Sequence, residues 1–513
     1  MRTKNIFKTL ALTSLMFLSS GCSDWLAVDM EDGIMEDKLF ESNEGFLATL
    51  NGAYSKMNEI YGTDLSMGVI DVMAQYYDID QNSSHRFHSF ANYNFKQNNV
   101  ESTSSNLWTN LYNMIANLNT LIEHCDGSNS ALKRQYYGYV KGEALALRAM
   151  FHFDLLRLYG PIYSAETAET ETIPYQETTS KDIQPLLPAS QVMEKVIRDL
   201  NEAAELLKED KIRKDGVMNE GSEDPNESSD FRYRQYRLNY YAVQGLLARA
   251  YSWMQNNEKT LEIATAIIEE NEKEKVFKWT PKANVQASQP DRLFSTEVMF
   301  ALYNQKRNKV YDSMFNPSAG INQCLTFKGE TTEEGDEGSK INTFYTDQDD
   351  LRKVSDMWSA EEIEQSDDFG SIKSQKSVCF NKYQKINVTG THKFMIPLMR
   401  LSEIYLLAAE CTNDLSKAIE YINAVRKNRN CVNLELQESD TKETIQKYIT
   451  AEFAREVIGE GQLYFYYKRH AMTEIMSGSD FGEYWATGIF QMALQNYVWP
   501  LPKVEIDKRG TKK

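Results

Sequence analysis

This chain lacks a second long apolar run, a metal-binding spacing among its cysteines and any excess of basic charge, and each absence closes a class of function. Beyond the first two dozen residues no apolar run approaches the ~20 residues of a membrane-spanning helix, so the mature chain is expected to be anchored and not to span. The six cysteines stand at 22, 125, 324, 379, 411 and 431 with no CxxC and no zinc spacing. With Cys22 removed from the count by lipidation, the other five cannot all pair with each other and read as buried or free thiols. The net charge is −18, or −21 once Arg2, Lys4 and Lys8 of the leader are removed, which excludes nucleic acid and anionic lipid surfaces as partners.

Catalytic signatures are missing as well. The six histidines include no HExxH, and His85 and His88, three apart in a loop, read as a polar turn and not as metal ligands. Asp78-x-Asp80-x-Asn82 begins like a calcium loop, but Ser83 stands where the glycine is needed and Ser89 where the closing glutamate belongs. No Gly-x-Ser-x-Gly and no phosphate-cradling glycine loop occurs, so neither a nucleophile elbow nor a nucleotide cofactor is indicated. Glycoside hydrolysis needs two carboxylates at a fixed separation, and no motif singles out such a pair among 74 acidic residues. The expectation is a binding protein without a cofactor.

What is present begins with a secretory leader over residues 1–21, basic at Arg2, Lys4 and Lys8 and apolar over Leu10–Leu18. Ser19-Ser20-Gly21-Cys22 resembles a lipobox, making Cys22 the lipidated N-terminus and residues 22–45 a lipid-anchored tether. The remainder, 46–513, reads as a single helical domain. Its strongest element is Gly142–Pro161, where Ala144, Leu147, Phe151, Leu155 and Leu158 recur at helical spacing and Leu145, Ala149 and Phe153 widen the stripe. Gly160-Pro161 ends it. Such a face predicts a helix buried on most sides, with Arg148, Asp154 and Arg157 satisfied by partner groups.

Two segments, 238–268 and 401–426, place small and large packing residues at the offsets of tetratricopeptide helix pairs: Leu247, Ala248, Tyr251, Ala264 and Ile267, then Leu406, Ala409, Ala418, Ile422 and Val425. Helices over 106–123 and 142–160 make a further pair. The fold class is therefore all-α, a tetratricopeptide-like scaffold with long irregular loops and few short strands, one of them at Glu297–Tyr303. Two long loops, at about 62–105 and 275–390, are dense in aromatic and polar residues, and loops of that length inside a compact body are usually functional.

An ordered set of segments then resembles the SusD/RagB-type nutrient-binding lipoproteins of the Bacteroidota outer membrane. They are Cys22, Asn51-Gly52-Ala53-Tyr54, Gly142-Glu143-Ala144 with Leu147-Arg148-Ala149 and Phe153-Asp154-Leu155, Leu246–Tyr251, and Arg400-Leu401-Ser402-Glu403. Glu410, Ile422-Asn423, Val425-Arg426, Glu460-Gly461-Gln462 and Trp499-Pro500-Leu501-Pro502 follow. The resemblance implies a cell-surface, non-enzymatic lipoprotein that captures oligosaccharide or polysaccharide and passes it to a SusC-like TonB-dependent barrel transporter; some members take peptides instead.

A sugar presents an apolar C–H face and a rim of hydroxyls, so its binder needs exposed aromatic faces beside polar side chains. The first loop offers Asp71, Tyr76, Tyr77, Arg86, His88 and Tyr93. The second offers Trp279, Tyr303, Tyr311 and Phe315. Trp108, Phe151, Tyr251, Tyr405 and Trp499 lie in helical or terminal segments and are assigned to packing.

Overall fold

The computed structural model describes residues 38–79, 81–127, 130–217, 229–329, 340–366, 372–479 and 488–510. Cys22, the leader and most of the tether therefore lie outside the described residues, as do the acidic runs at 218–228 and 331–338.

Long helices form the frame: α1 (Asn43–Met57), α2 (Asn98–Asp126), α3 (Arg134–Tyr159), α4 (Ala189–Leu206), α5 (Tyr240–Trp253), α6 (Asn257–Glu274), α7 (Leu401–Cys411), α8 (Leu415–Asn428) and α9 (Lys442–Val457). From α2 to α8 each packs against the next, and α9 packs on both α7 and α8, which is the stacking of helical repeats. The two segments with tetratricopeptide spacing are α5–α6 and α7–α8. Their tight corners are set by side-chain caps: Asn256 accepts from the Lys259 amide, and Asp414 from those of Ser416 and Lys417.

Every residue of α3 from Gly142 onward is buried. Its charged groups are satisfied as expected: Arg148 Nε donates to Asp199 at 2.7 Å, and Asp154 pairs with Arg157 and accepts from the Tyr61 hydroxyl at 2.5 Å. Among the described residues no helix is long and apolar enough to cross a membrane.

The stretch between α6 and α7 holds more strand than the single one expected. β3 (Val298–Tyr303) pairs antiparallel with β7 (Met395–Arg400), while β4 (Thr326–Lys328) and β5 (Trp358–Ser366) flank β6 (Ile372–Phe380). Alternation in this region is hidden because β3 and β7 are buried on both faces. Two-stranded pairs also occur: β1 (Glu171–Ile173) with β2 (Leu187–Pro188), and β8 (Glu474–Met476) with β9 (Ile489–Gln491). The first long loop is likewise better ordered than its sequence suggests. It contains short helices at Val69–Met73 and His88–Ala91, and α2 begins at Asn98, eight residues before the apolar periodicity sets in.

Candidate functional site

A cleft of about 660 Å³ opens where α1, the segment before α5 and the end of β3 meet. Helical spacing puts Asn51, Tyr54 and Ser55 on one face of α1, with Asn58 at its C-cap, so the Asn51-Gly52-Ala53-Tyr54 motif supplies one wall. The second wall is Phe231–Arg237, in which aromatic and guanidinium side chains interleave. The third is the last turn of β3, with Thr391 beside it.

Two tyrosines present their rings here. Tyr303 closes β3, whose other residues are buried, and is 39% exposed. Tyr236 and Phe394 support it edge-on at 5.5 and 5.2 Å. Tyr233 is 38% exposed and holds a left-handed backbone (φ 55°), a conformation that costs energy outside glycine and that a fold keeps where it aims a side chain.

Below the rings, the polar layer is braced from the core. Buried Arg234 donates to Glu143 of α3 at 2.5 Å and to Asp210 at 2.7 Å. Glu143 in turn accepts from the Tyr54 hydroxyl at 2.8 Å, and the Leu238 amide donates to that same hydroxyl at 2.9 Å. Burial, then the charge on Glu143, push the Tyr54 hydroxyl well above the ordinary tyrosine range, so it stays protonated. Arg237 lies over the Tyr54 ring at 4.7 Å and donates to Asn51. Asn58 Nδ2 donates to the Tyr303 carbonyl at 3.3 Å, while its Oδ1, Arg232 Nε and Arg237 Nη1 are shielded from solvent without a hydrogen-bond partner. Unpaired buried polar atoms are costly, and here three of them belong to residues that line one cleft.

Of the residues singled out from sequence, the structure brings only Tyr303 to this cleft. Tyr76, Tyr77, Tyr93, Tyr311 and Phe315 are buried and offer no face to a sugar. The two loops pack their aromatic rings on each other instead of on solvent. Tyr77 sits 6.2 Å from Phe315 and 6.4 Å from Phe327, Tyr76 donates to the Ala454 carbonyl at 2.6 Å, and Tyr93 to that of Met73 at 2.5 Å. Tyr311 donates to Asn381 at 3.0 Å.

Asp71 is a structural latch. It accepts from the Gly459 and Gly461 amides at 2.5 and 3.0 Å, holding the turn after α9, where both glycines have positive φ. Trp279 is half-buried against Tyr405 at 5.3 Å. Arg86 donates from Nη2 to the Ser313 carbonyl at 2.8 Å while its Nε is shielded without a partner, and His88 lies 3.3 Å from the Asn92 amide nitrogen. His85 is buried, its Nδ1 accepting from the Phe87 amide at 3.1 Å, and burial lowers its pKa to about 4. Sequence reasoning missed Tyr233, Arg232, Arg237 and the role of Tyr54. The readable signal was the alternation Phe231-Arg232-Tyr233-Arg234-Gln235-Tyr236-Arg237 beside an acidic run.

Comparison with known proteins places these features in context. The model of a SusD-like family, described as starch-binding and associating with the outer membrane, matches residues 29–217. A protein of Formosa agariphila named SusD-like protein P38 is 22% identical, the match covering 89% of this chain and 90% of that protein. A SusD superfamily protein from Bacteroides thetaiotaomicron shares the fold at TM-score 0.66 and 20% identity, covering 91% of this chain and 98% of the other. A putative sugar binding protein from Bacteroides vulgatus does so at TM-score 0.63 and 23% identity, covering 91% and 96%.

Proposed function

We propose that this chain, similar to SusD-like proteins in sequence and fold, is a lipid-anchored cell-surface protein that captures glycans and delivers them to a SusC-like TonB-dependent transporter. The observation that carries this reading is the cleft lining: two exposed tyrosine rings, Tyr233 and Tyr303, above a layer of amide, hydroxyl and guanidinium groups. A pyranose ring stacks its C–H face on the aromatic and its hydroxyls exchange hydrogen bonds with the polar layer. Because that layer is held by Glu143 and Arg234 from the core, it is set before ligand arrives and little ordering entropy is lost on binding.

Anchoring through Cys22 and hand-over to a barrel follow from the resemblance to the SusD/RagB type, in a family associated with the outer membrane.

The test is isothermal titration of the soluble form, truncated after Cys22, against plant, host and microbial oligosaccharides with a peptide mixture alongside. Saccharide binding that falls about fivefold in Tyr303→Ala and Tyr233→Ala, with thermal stability kept, is the expected result, since a well-placed aromatic face is worth on the order of 1 kcal/mol. Peptide binding with a blank glycan panel would move the protein to the peptide-binding branch. Glycan binding indifferent to both substitutions would reject this cleft as the site.

A further inference from the structure

We propose that the glycan taken by this cleft is anionic, its carboxylate or sulfate held by Arg232 and Arg237; the inference rests on the reading of the cleft as the glycan site. Three arginines fall within six residues, and the fold treats them differently. Arg234 is buried and saturated by Asp210 and Glu143. Arg232 and Arg237 flank it, line the cleft, and each keeps a guanidinium nitrogen shielded from solvent with no hydrogen-bond acceptor.

Nearby carboxylates neutralise them only in part. Glu143 makes a long ion pair with Arg237, 3.8 Å from Nη1, while its oxygens also serve Arg234 and Tyr54. Asp230, on the same lining, accepts from the Tyr136 hydroxyl at 3.1 Å. The nearest acceptor for Arg237 is the neutral amide oxygen of Asn51.

On a chain of net charge −18, a cleft whose described lining carries two guanidinium groups against one carboxylate is an exception that asks for an anionic occupant. Planar forked donors suit carboxylate and sulfate oxygens far better than single hydroxyls, and charge-assisted bonds of this kind strengthen where water is excluded. Asn51 and Asn58 on the same lining add amide groups for sugar hydroxyls, so the site reads both the charge and the polyol that carries it.

The test compares polygalacturonate, a sulfated galactan and an uncharged galactan by isothermal titration on the chain truncated after Cys22, with polyglutamate as a polyanion lacking sugar. At least one anionic polysaccharide is expected to bind about tenfold or more tighter than the uncharged one, and to weaken several-fold between about 50 and about 500 mM NaCl as screening grows. Which of the two polymers binds separates the carboxylate source from the sulfate source. Arg232→Gln and Arg237→Gln should each erase most of that preference, the loss for the anionic polymer exceeding the loss for the uncharged galactan several-fold. Equal, salt-independent binding of charged and uncharged galactans would overturn the anionic assignment and leave the glycan reading standing. Polyglutamate binding as tightly as the polysaccharides would overturn it too, by showing charge without sugar recognition. Failure of every saccharide to bind, with Tyr303→Ala no different from the parent, would reject the glycan reading itself.

Discussion

His152 illustrates how one side chain couples burial to pH. It sits in the middle of α3 with its Nδ1–H donating to the Arg148 carbonyl at 2.9 Å and its Nε2 accepting from the Gln176 amide at 3.0 Å, stacked on Tyr175 at 3.7 Å. Protonation would destroy the acceptor, and burial, reinforced by the charge of Arg148, lowers its pKa from 6.5 to about 3; Asp199 and Glu177 oppose that shift weakly. Below pH 6.5 the unfolded chain takes up a proton that the folded chain refuses, so stability from this site is present above 6.5 and drains away toward pH 3. At pH 5 the loss amounts to roughly 2 kcal/mol, at 1.36 kcal/mol per unit. Urea unfolding at pH 7.5 and pH 5 should show it, and His152→Gln should flatten the difference while lowering stability at both values. An unaltered pH slope in the variant would remove His152 from this role.

The same scale explains which site residues could be read in advance. Residue type tells that tyrosine suits a sugar, but not which tyrosine faces out. Tyr76 and Tyr303 are alike in the one-dimensional pattern; one is fully buried and the other 39% exposed because it terminates β3. Tyr233 owes its exposure to a left-handed backbone that nothing in Arg232-Tyr233-Arg234 announces.

At the scale of elements, the helices declared themselves because their apolar period and caps are local properties. Of the strands between α6 and α7 only β3 did; its partner β7 stayed hidden, since their pairing joins residues about a hundred apart in the chain. What binds the insertion to the repeat scaffold is a buried charge network centred on α9. Glu456 accepts from Arg352, Arg400 and Arg429 at 2.7 Å each, bringing the helix at Leu351–Val354, the end of β7 and the end of α8 to one carboxylate. Arg429 continues to Glu297 before β3 at 2.6 Å, and Arg400 and Lys382 meet at Glu460 at 2.7 and 2.6 Å. Arg400, Arg426 and Glu460 are among the residues that carry the resemblance to the SusD/RagB type. They were legible for that reason, and their work is structural: Arg426 also joins the network through Glu452 at 3.2 Å.

The three arginines hold Glu456 well below the usual carboxylate range in spite of its burial. Its contribution is therefore complete above the unfolded pKa of about 4.3 and lost only in stronger acid. Glu456→Gln keeps the shape but strands buried guanidinium charge, and should cost about 3–5 kcal/mol in denaturant unfolding. A loss under about 1 kcal/mol would mean that the remaining carboxylates can re-pair the arginines.

For the whole molecule, the decisive fact is that the long loops are not appendages. One continuous apolar cluster runs from Phe40 through the helical repeats, the β3–β7 pair and the aromatic rings of both loops to Trp499, whose amide donates to the Leu158 carbonyl at 3.1 Å. Chains of this length commonly divide into separately folding units. Here a division would have to break both that cluster and the charge network on α9, so unfolding should be a single cooperative event. Far-UV dichroism follows the helices, while tryptophan emission samples Trp108 and Trp253 in helices, Trp358 in β5 and Trp279 in the insertion. The two signals should therefore fall together with the same midpoint. Two separated transitions, with emission changing first, would show that the insertion melts off the repeats. The cleft would then lose its β3 wall, and with it Tyr303, before the scaffold fails. A single transition means that glycan binding anywhere in the cleft stabilises the entire chain, so a bound saccharide should raise the one midpoint without splitting it.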